Sequence, residues 1–432
     1  MSQQSTVAAC PSPIGGQPVA SASIYGERVV FTLLGISVAC MILSKAAEWA
    51  LFHSLFLSVD PWALAGPFLA YWLLESDRRT VLRTFAIGVP TGGAVALLLP
   101  ISSSFVEPIA LGLASTGVLL ARISFQPSSR RSAVFIIAIG LLAPITQQIC
   151  AVFERFTTTA VMTFDHRAYL VDLSLGFNPV GTVLSIVNAM PPAIHAVFVH
   201  IITFAYAIII LVMTTCVVLH IKNKSPRWSV VLTSFVLAGA VGAGLYHIFP
   251  AVGPAVAFPT FPELPQPAGM TPATTYYDPG YVRNCMPSLH TAWALLIVIN
   301  AAGLANMFRR LAILSAGLVM IATLVLGQHY LVDLIVAVPF TIAVQSAAHA
   351  LIERRWPGPS FWAGSGAVAF WLYALVARVE WFLAIPGFTA AAVVVTIAGC
   401  TLLAAVDDAF GIGKGARPAA GSFGARIADK PA

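Results

Sequence analysis

Charged residues are scarce in this sequence. Only 9% of the 432 residues are Asp, Glu, Lys or Arg, and 58% are hydrophobic, whereas a typical soluble domain has roughly 25% charged residues. A soluble fold of this length could not bury so much apolar surface. The apolar segments run for about 15–25 residues, the length of a membrane helix and not of a membrane-barrel strand. We therefore expect an all-α integral membrane protein with about 12 transmembrane helices.

Other familiar signals are missing as well. The six cysteines form no Cys-x-x-Cys pair, so a disulfide framework is not supported. The first 27 residues lack the basic region and short apolar core of a signal peptide, so we expect the first span to be retained. The formal charge of +6 comes from short loops between apolar segments, which is typical of membrane topology and argues against nucleic-acid binding.

Twelve apolar segments can be traced along the chain. They lie near 28–50, 61–75, 83–100, 105–121, 132–152, 193–220, 229–249, 288–304, 311–328, 331–351, 361–377 and 386–406. The predicted organisation is a disordered cytoplasmic N-terminus (1–27), an N-terminal transmembrane bundle (28–131), a catalytic six-span core (132–351), two C-terminal spans (352–406) and a cytoplasmic tail (407–432). We expect one membrane bundle, because the connections between segments are short.

Basic residues predict the orientation of these segments. They cluster at Arg78/Arg79/Arg83, Arg130/Arg131, Lys222/Lys224/Arg227, Arg309/Arg310 and Arg354/Arg355. With twelve spans and a cytoplasmic N-terminus, every cluster falls on the cytoplasmic side, as the positive-inside rule requires. The long segments 153–192 and 250–286 then face the opposite side. The first is amphipathic and predicts a helix in the membrane interface, and the second predicts an irregular binding loop.

Two short polar segments interrupt the apolar spans. The first polar segment is Met-Pro-Ser-Leu-His-Thr-Ala (286–292), and the second polar segment is Gly-Gln-His-Tyr-Leu-Val-Asp (327–333). The chain between them is long enough for two short spans and a cytoplasmic turn, so both segments should reach the same extracytoplasmic face. Ionisable residues kept at such positions indicate a functional site.

The histidines of these segments suggest nucleophilic chemistry. Asp333 follows His329 by one helical turn and can hold its ring. We interpret His329 as a nucleophile toward phosphorus, Asp333 as the group that fixes its tautomer, and His290 as the acid and base for the leaving and attacking oxygens.

Two residues near the first polar segment could bind the phosphate. Ser288 begins a predicted helix, whose N-terminal N–H groups and positive dipole end favour an anion. Arg283 is the first Lys or Arg after Arg227 and suits a bidentate phosphate contact.

Four further residues are weaker candidates for binding the headgroup or the acceptor. They are Asp165, Arg167, Asp172 and His247, all in or beside the long extracytoplasmic segments. A solvated face of an interfacial helix would explain the first three equally well.

At its polar segments the sequence resembles the type 2 phosphatidic acid phosphatase superfamily. Pro287-Ser288-Leu289-His290 resembles the Pro-Ser-Gly-His motif of that family, and His329 to Asp333 matches the end of its Ser-Arg-x5-His-x3-Asp motif. The resemblance covers the six-span core. It implies a phosphatidic-acid-phosphatase-type fold for that core and transfer through a phosphohistidine, without a metal or other cofactor.

The departures from the family pattern point to one branch. Thr323 stands where the family has Arg, and Phe249–Phe258 lacks the basic residues of the first family motif. Phe-Pro-x-x-Gly-Pro, Met-Pro-Ser-Leu-His and Gly-x-His-Tyr-x-x-Asp are similar to patterns of the inositolphosphorylceramide-synthase-like branch. Arg283 would then supply the phosphate-binding charge.

We therefore expect a lipid phosphotransferase or phosphatase in a bacterial inner membrane, with its active site on the extracytoplasmic side. Its partners would be a phospholipid donor and a lipid or water acceptor, with phosphoinositol or a similar headgroup transferred. Three other classes stay open. They are a twelve-span transporter, a metal-dependent membrane hydrolase with His290, His329 and Asp333 as ligands, and a noncatalytic relative.

Overall fold

A computed structural model describes residues 66–74, 162–265, 271–272, 275–276 and 283–409, together with the single positions 79, 82, 86 and 146. The predicted N-terminus (1–27), the spans near 28–50, 83–100, 105–121 and 132–152, and most of the tail lie outside these residues. The predicted span near 61–75 overlaps the first described helix.

The described residues are mostly helical. In chain order the elements are α1 (Gly66–Leu74), β1 (Met162–Thr163), α2 (Asp165–Leu173), α3 (Pro179–Asn188), α4 (Pro192–Ala207), α5 (Ile209–Lys222), α6 (Trp228–Leu245), α7 (Pro254–Ala257), β2 (Thr275–Tyr276), α8 (Leu289–Asn300), a 3-10 turn (Ala301–Gly303), α9 (Asn306–Val325), α10 (Leu331–Glu353), α11 (Pro359–Ala377), α12 (Glu380–Ala384) and α13 (Phe388–Ala409). β1 and β2 pair antiparallel over two residues each.

Five of these helices are long and apolar enough to cross a membrane: α6, α9, α10, α11 and the Phe388–Ala405 part of α13. The number rises to six if α4 and α5 form one span. These two helices occupy the segment predicted as a single span, but they meet at Ile208 with a bend of 52°. The structure therefore supports a helical membrane protein, while the total of twelve spans stays a prediction.

The helix α10 is the centre of the packing. It contacts α6, α8, α11, α13 and the short helix α2. Most of α6 and α10 is buried within the protein, whereas little of α13 is buried. For apolar helices in a bilayer, this difference separates a central helix from one that faces lipid.

The segment 153–192 differs in part from its prediction. Its described part, from residue 162, contains two helices, α2 and α3, and not a single interfacial one. In α2 the residues Asp165, Ala168, Tyr169, Leu170, Val171 and Asp172 are buried, so the protein covers this helix. The physical reason is that its two carboxylates bind backbone N–H groups of other segments.

The two histidines and the basic residues lie at opposite helix ends. His290 lies at the start of α8, and His329 lies between the end of α9 and the start of α10. Arg309 and Arg310 lie in the first turn of α9, and Arg354 follows the end of α10. The chain thus places both histidines at the helix ends opposite to these basic residues.

We predict that Gly364→Ala destabilises the protein while Gly366→Ala does not. Both glycines lie in α11. A Cβ atom at Gly364 would lie 2.6 Å from the Pro339 carbonyl oxygen and 2.9 Å from the Ala343 nitrogen, whereas a Cβ atom at Gly366 would meet nothing within 4 Å. Overpacking of this kind typically destabilises by about 1–3 kcal/mol. Thermal unfolding in detergent should show a lower Tm for Gly364→Ala only, and equal Tm values would contradict the tight packing of α10 on α11.

Candidate functional site

The two polar segments meet at the start of α8 and α10. Ser288 is the N-cap of α8, and its hydroxyl accepts a hydrogen bond from the Thr291 N–H at 3.3 Å. The Ser288 N–H donates to the Asp333 carbonyl oxygen at 3.3 Å. The two polar segments, which were predicted to reach the same face, are therefore in direct backbone contact.

Asp333 connects the start of α10 to His329. It is the third residue of α10, and its Oδ2 atom accepts a hydrogen bond from the Tyr330 N–H at 2.8 Å. The same Oδ2 atom lies 3.5 Å from Nδ1 of His329. Both side chains are buried. The His-x-x-x-Asp spacing thus gives the expected juxtaposition, at a distance slightly longer than a hydrogen bond.

His329 is buried beside Asp333. Burial lowers the pKa of His329 to about 4, and a hydrogen bond with the backbone of Cys285 opposes this shift. The imidazole is therefore neutral at neutral pH, and one of its ring nitrogens carries the lone pair of a base or nucleophile.

His290 lies in the first turn of α8, partly exposed. Its ring stacks on Tyr206, with the centroids 3.8 Å apart and the planes at 14°, and the edge of Trp293 lies close by. His290 and His329 are near enough to interact electrostatically. Tyr206 was not among the predicted site residues. It lies in α4, and only the three-dimensional structure places it against His290.

Asp165 holds three segments together. Its carboxylate accepts hydrogen bonds from the Val252 and Gly253 N–H groups at 3.1 and 3.0 Å and from the Tyr330 hydroxyl at 2.9 Å. Burial raises the pKa of Asp165, and these donors oppose that shift. Arg283 is fully buried and close enough to Asp165 for their charges to attract.

Asp172 binds the N-terminus of α10. Its two carboxylate oxygens accept hydrogen bonds from the N–H groups of Leu331 at 2.7 Å and Val332 at 2.9 Å. These are two of the donors that a helix N-terminus cannot satisfy internally. Burial raises the pKa of Asp172, and the two donors oppose this shift.

Arg167 binds backbone carbonyl groups of other segments. Arg167 donates to the carbonyl oxygens of Pro272 at 3.1 Å and Leu375 at 3.2 Å, and also to that of Val376. It thereby caps the C-terminal end of α11. His247 is exposed just beyond the end of α6. The structure thus places Arg167 at the end of α11, His247 on the surface, and Asp165 and Asp172 in the framework of the site.

Two glycines allow the loop after α6 to pack on the second polar segment. Gly253 has φ +85° and Gly327 has φ +62°. A Cβ atom on Gly253 would lie 2.5 Å from the carbonyl oxygen of Gln328. The Ala255 N–H donates to the Gly327 carbonyl oxygen at 2.8 Å. Glycine is required here because the backbones approach closely and the left-handed conformation excludes most side chains.

Thr323 occupies the position where the family resemblance expects Arg. It is fully buried in α9, and its hydroxyl donates to the Met320 carbonyl oxygen at 2.7 Å. Its own carbonyl oxygen accepts the N–H of His329 at 3.2 Å. The residue supports the backbone of the second polar segment and brings no positive charge.

One group of potential metal ligands was found among the described residues. Donor atoms of Cys285, His329 and Asp333 all lie within 4.8 Å of one another. The sequence-based metal alternative used His290 in place of Cys285. No local sequence pattern predicts that the thiol of Cys285 approaches His329.

The fold and the site define a helical membrane protein with two histidines and an aspartate gathered at one end of its helices. Residues 166–347 match the family model described as the PAP2 superfamily. This match supports the resemblance to the type 2 phosphatidic acid phosphatase superfamily for the segment that contains His290, His329 and Asp333. Comparisons with curated proteins and with solved structures found no match.

We predict that Asp172→Ala lowers stability, whereas His329→Gln leaves it nearly unchanged. The Asp172 substitution leaves two buried N–H groups without an acceptor, and each such loss typically costs about 1–3 kcal/mol. Thermal unfolding of the two variants in one detergent tests this difference. Equal Tm values would mean that Asp172 does not hold the start of α10.

Proposed function

We propose that this protein is a membrane lipid phosphotransferase or phosphatase that works through a phosphohistidine on His329. The observation that carries this proposal is the buried pair of His329 and Asp333, with the second histidine His290 beside it. One histidine can form the covalent bond to phosphorus while the other handles the proton of the leaving oxygen.

The first step follows from the arrangement of the ring nitrogens. Nδ1 of His329 faces Asp333, so the lone pair of Nε2 attacks phosphorus. A P–N bond forms, the P–O bond to the leaving group breaks, and His290, which begins the step protonated, gives its proton to the departing oxygen and becomes neutral. The imidazole becomes positively charged, and the carboxylate of Asp333 stabilises that charge as the pair draws together.

The second step regenerates the enzyme. His290 takes the proton from an acceptor hydroxyl, whose oxygen attacks phosphorus as the P–N bond breaks. A lipid alcohol as acceptor gives a new phospholipid, and water gives hydrolysis. We further propose that phosphoinositol or a similar headgroup is transferred, as the resemblance to the inositolphosphorylceramide-synthase-like branch implies. No metal or other cofactor takes part in either proposed step.

Phosphate binding is assigned to the start of α8 and to Arg283. The Ser288 hydroxyl already caps the helix, and the first N–H groups of α8 are suited to an anion. Arg283 brings a buried positive charge to the segment that leads into this helix. Arg283 thereby supplies the positive charge that the family pattern places at position 323, where this chain has Thr.

An apolar cavity between three helices supports a lipid substrate. It has a volume of about 730 Å³ and lies between α6, α10 and α11. Its walls are almost entirely apolar and include Phe340, Val368 and Leu372. Val376, whose carbonyl oxygen binds Arg167, also lines it. Pockets of about 300–1,000 Å³ hold organic ligands, and a hydrocarbon chain suits these walls.

The proposed location follows from the helix ends. Both histidines lie opposite to the basic residues of α9 and α10. Because basic loops favour the cytoplasmic side, we place the site on the extracytoplasmic face of a bacterial inner membrane.

We predict that His329→Ala abolishes both turnover and phosphoenzyme formation. Loss of a catalytic nucleophile typically lowers the rate a thousandfold or more. Purified enzyme with chelator present would be offered phosphatidylinositol, phosphatidylglycerol and phosphatidic acid, labelled at phosphorus, each with and without ceramide or diacylglycerol. Label on the wild-type protein should be stable in base and labile in acid, as expected for a phosphohistidine.

The matched control is His349→Gln, at the other end of α10, where the side chain contacts Glu353. It should retain normal turnover and labelling. Headgroup transfer to a lipid alcohol would identify a transferase, and release of inorganic phosphate alone would identify a phosphatase. Full turnover by His329→Ala would refute the mechanism.

We predict that phosphoenzyme formation persists to unusually low pH. Since burial lowers the pKa of His329 to about 4, the neutral ring predominates down to that pH, whereas an ordinary histidine would be half protonated near pH 6.5. Rapid mixing followed by an alkaline quench should give a half-maximal labelling rate near pH 4. The same shift makes folding less favourable as the pH falls from about 6.5 toward 4, because the unfolded chain binds the proton more readily. A labelling rate that halves near pH 6.5 would show that His329 is not desolvated.

A further inference from the structure

We propose that Cys285, His329 and Asp333 form an inhibitory binding site for a thiophilic divalent cation such as Zn²⁺. One thiol, one imidazole and one carboxylate place their donor atoms within 4.8 Å of one another. All three residues are buried. Binding is inferred from this geometry alone, whereas inhibition also rests on the proposed function of His329.

The hydrogen bonding of the cluster supports a ligand. Nδ1 of His329 and Oδ1 of Asp333 are both buried, and neither has a hydrogen-bond partner among the described residues. Buried polar atoms are nearly always satisfied, so two such atoms in one cluster call for a catalytic role or a bound ion. Here both explanations apply to the same atoms, and a cation would therefore compete with catalysis.

The donor types select the cation. Zn²⁺ binds thiolate at about 2.3 Å and imidazole or carboxylate at about 2.0–2.2 Å in tetrahedral geometry, so its donors lie about 3.5 Å apart. The separation of 3.5 Å between His329 Nδ1 and Asp333 Oδ2 already fits. Mg²⁺ and Ca²⁺ prefer oxygen ligands and are disfavoured by the thiol.

The thiol needs a small change to join the site. Sγ of Cys285 now donates to the Gln328 carbonyl oxygen at 3.2 Å. A cation would displace the thiol proton, and the resulting thiolate would move by about 1 Å to complete a three-ligand site. A fourth position would remain for water. The ion would enter by the opening that a substrate of His329 also requires, beside the partly exposed His290.

Inhibition follows from the position of the ion. A dication on Nδ1 withdraws electron density from the ring and repels the positive charge that develops there during attack on phosphorus. It also engages the carboxylate that would stabilise this charge. The site therefore makes the same two residues serve either phosphoryl transfer or cation binding.

Binding can be tested directly on the purified chain with Co²⁺ as a spectroscopic probe. Wild-type protein should bind one Co²⁺ with a thiolate-to-cobalt charge-transfer band, and Zn²⁺ should displace it. The Cys285→Ala variant should lose the band. The matched control is Cys216→Ala, which removes another buried free thiol from α5, far from the cluster in sequence, and should keep the band. A wild-type protein without the band, or a band that persists in Cys285→Ala, would overturn the site.

Inhibition requires a second measurement. For each variant, turnover would be compared with its own chelator-treated activity as Zn²⁺ is added. The Zn²⁺ concentration that halves turnover should rise at least tenfold in Cys285→Ala and stay unchanged in Cys216→Ala. Activation by Zn²⁺ would overturn the inhibitory role and favour a metal-dependent hydrolase. If the protein shows the cobalt band but turns over no lipid, the cation site is supported and the proposed function is refuted.

Discussion

The binding of Asp172 to the first two N–H groups of α10 is the contact on which the site depends. A buried helix start needs acceptors from elsewhere in the chain, and α2 provides one from a segment some 160 residues earlier. This contact sets the level at which α10 begins and hence the position of Asp333 in its first turn. Asp165, on the same short helix, fixes Tyr330 and the loop at Gly253. Two buried carboxylates thus align three segments around His329.

This framework changes the interpretation of the polar residues before α3. From the sequence, Asp165 and Asp172 could contact a headgroup or lie on a solvated helix face. In the structure their oxygens are occupied by backbone N–H groups and a tyrosine hydroxyl. Spacing could reveal the His329–Asp333 pair because both residues lie within one helical turn. Spacing could not reveal the contacts of Asp165 and Asp172, because these join residues that are distant in the chain. Only the folded structure brings them together.

Features that arise within one segment of the chain were predictable from the sequence, whereas features that depend on packing between segments were not. Helical periodicity and apolar length located α6 and α9 to α11 closely, and the polar segments at 286–292 and 327–333 met as expected. The break at Ile208, the stacking of Tyr206 on His290 and the approach of Cys285 to His329 were not predictable from local pattern. Each of these features depends on how the helices pack against one another. Such packing does not require a fixed number of residues between the partners, so no sequence pattern indicates it.

Arg167 gives the molecule a property that its family similarity does not suggest. The matched segment ends at residue 347, yet the guanidinium group of Arg167 binds the last carbonyl groups of α11, near residue 376. Trp371 of the same helix donates to Thr396 of α13 at 2.9 Å. The C-terminal helices α11 and α13 are therefore linked by hydrogen bonds to α2, the helix that carries Asp165 and Asp172. A movement of these helices in response to bilayer thickness or tension would be transmitted through α2 to the start of α10, and so to the geometry of His329.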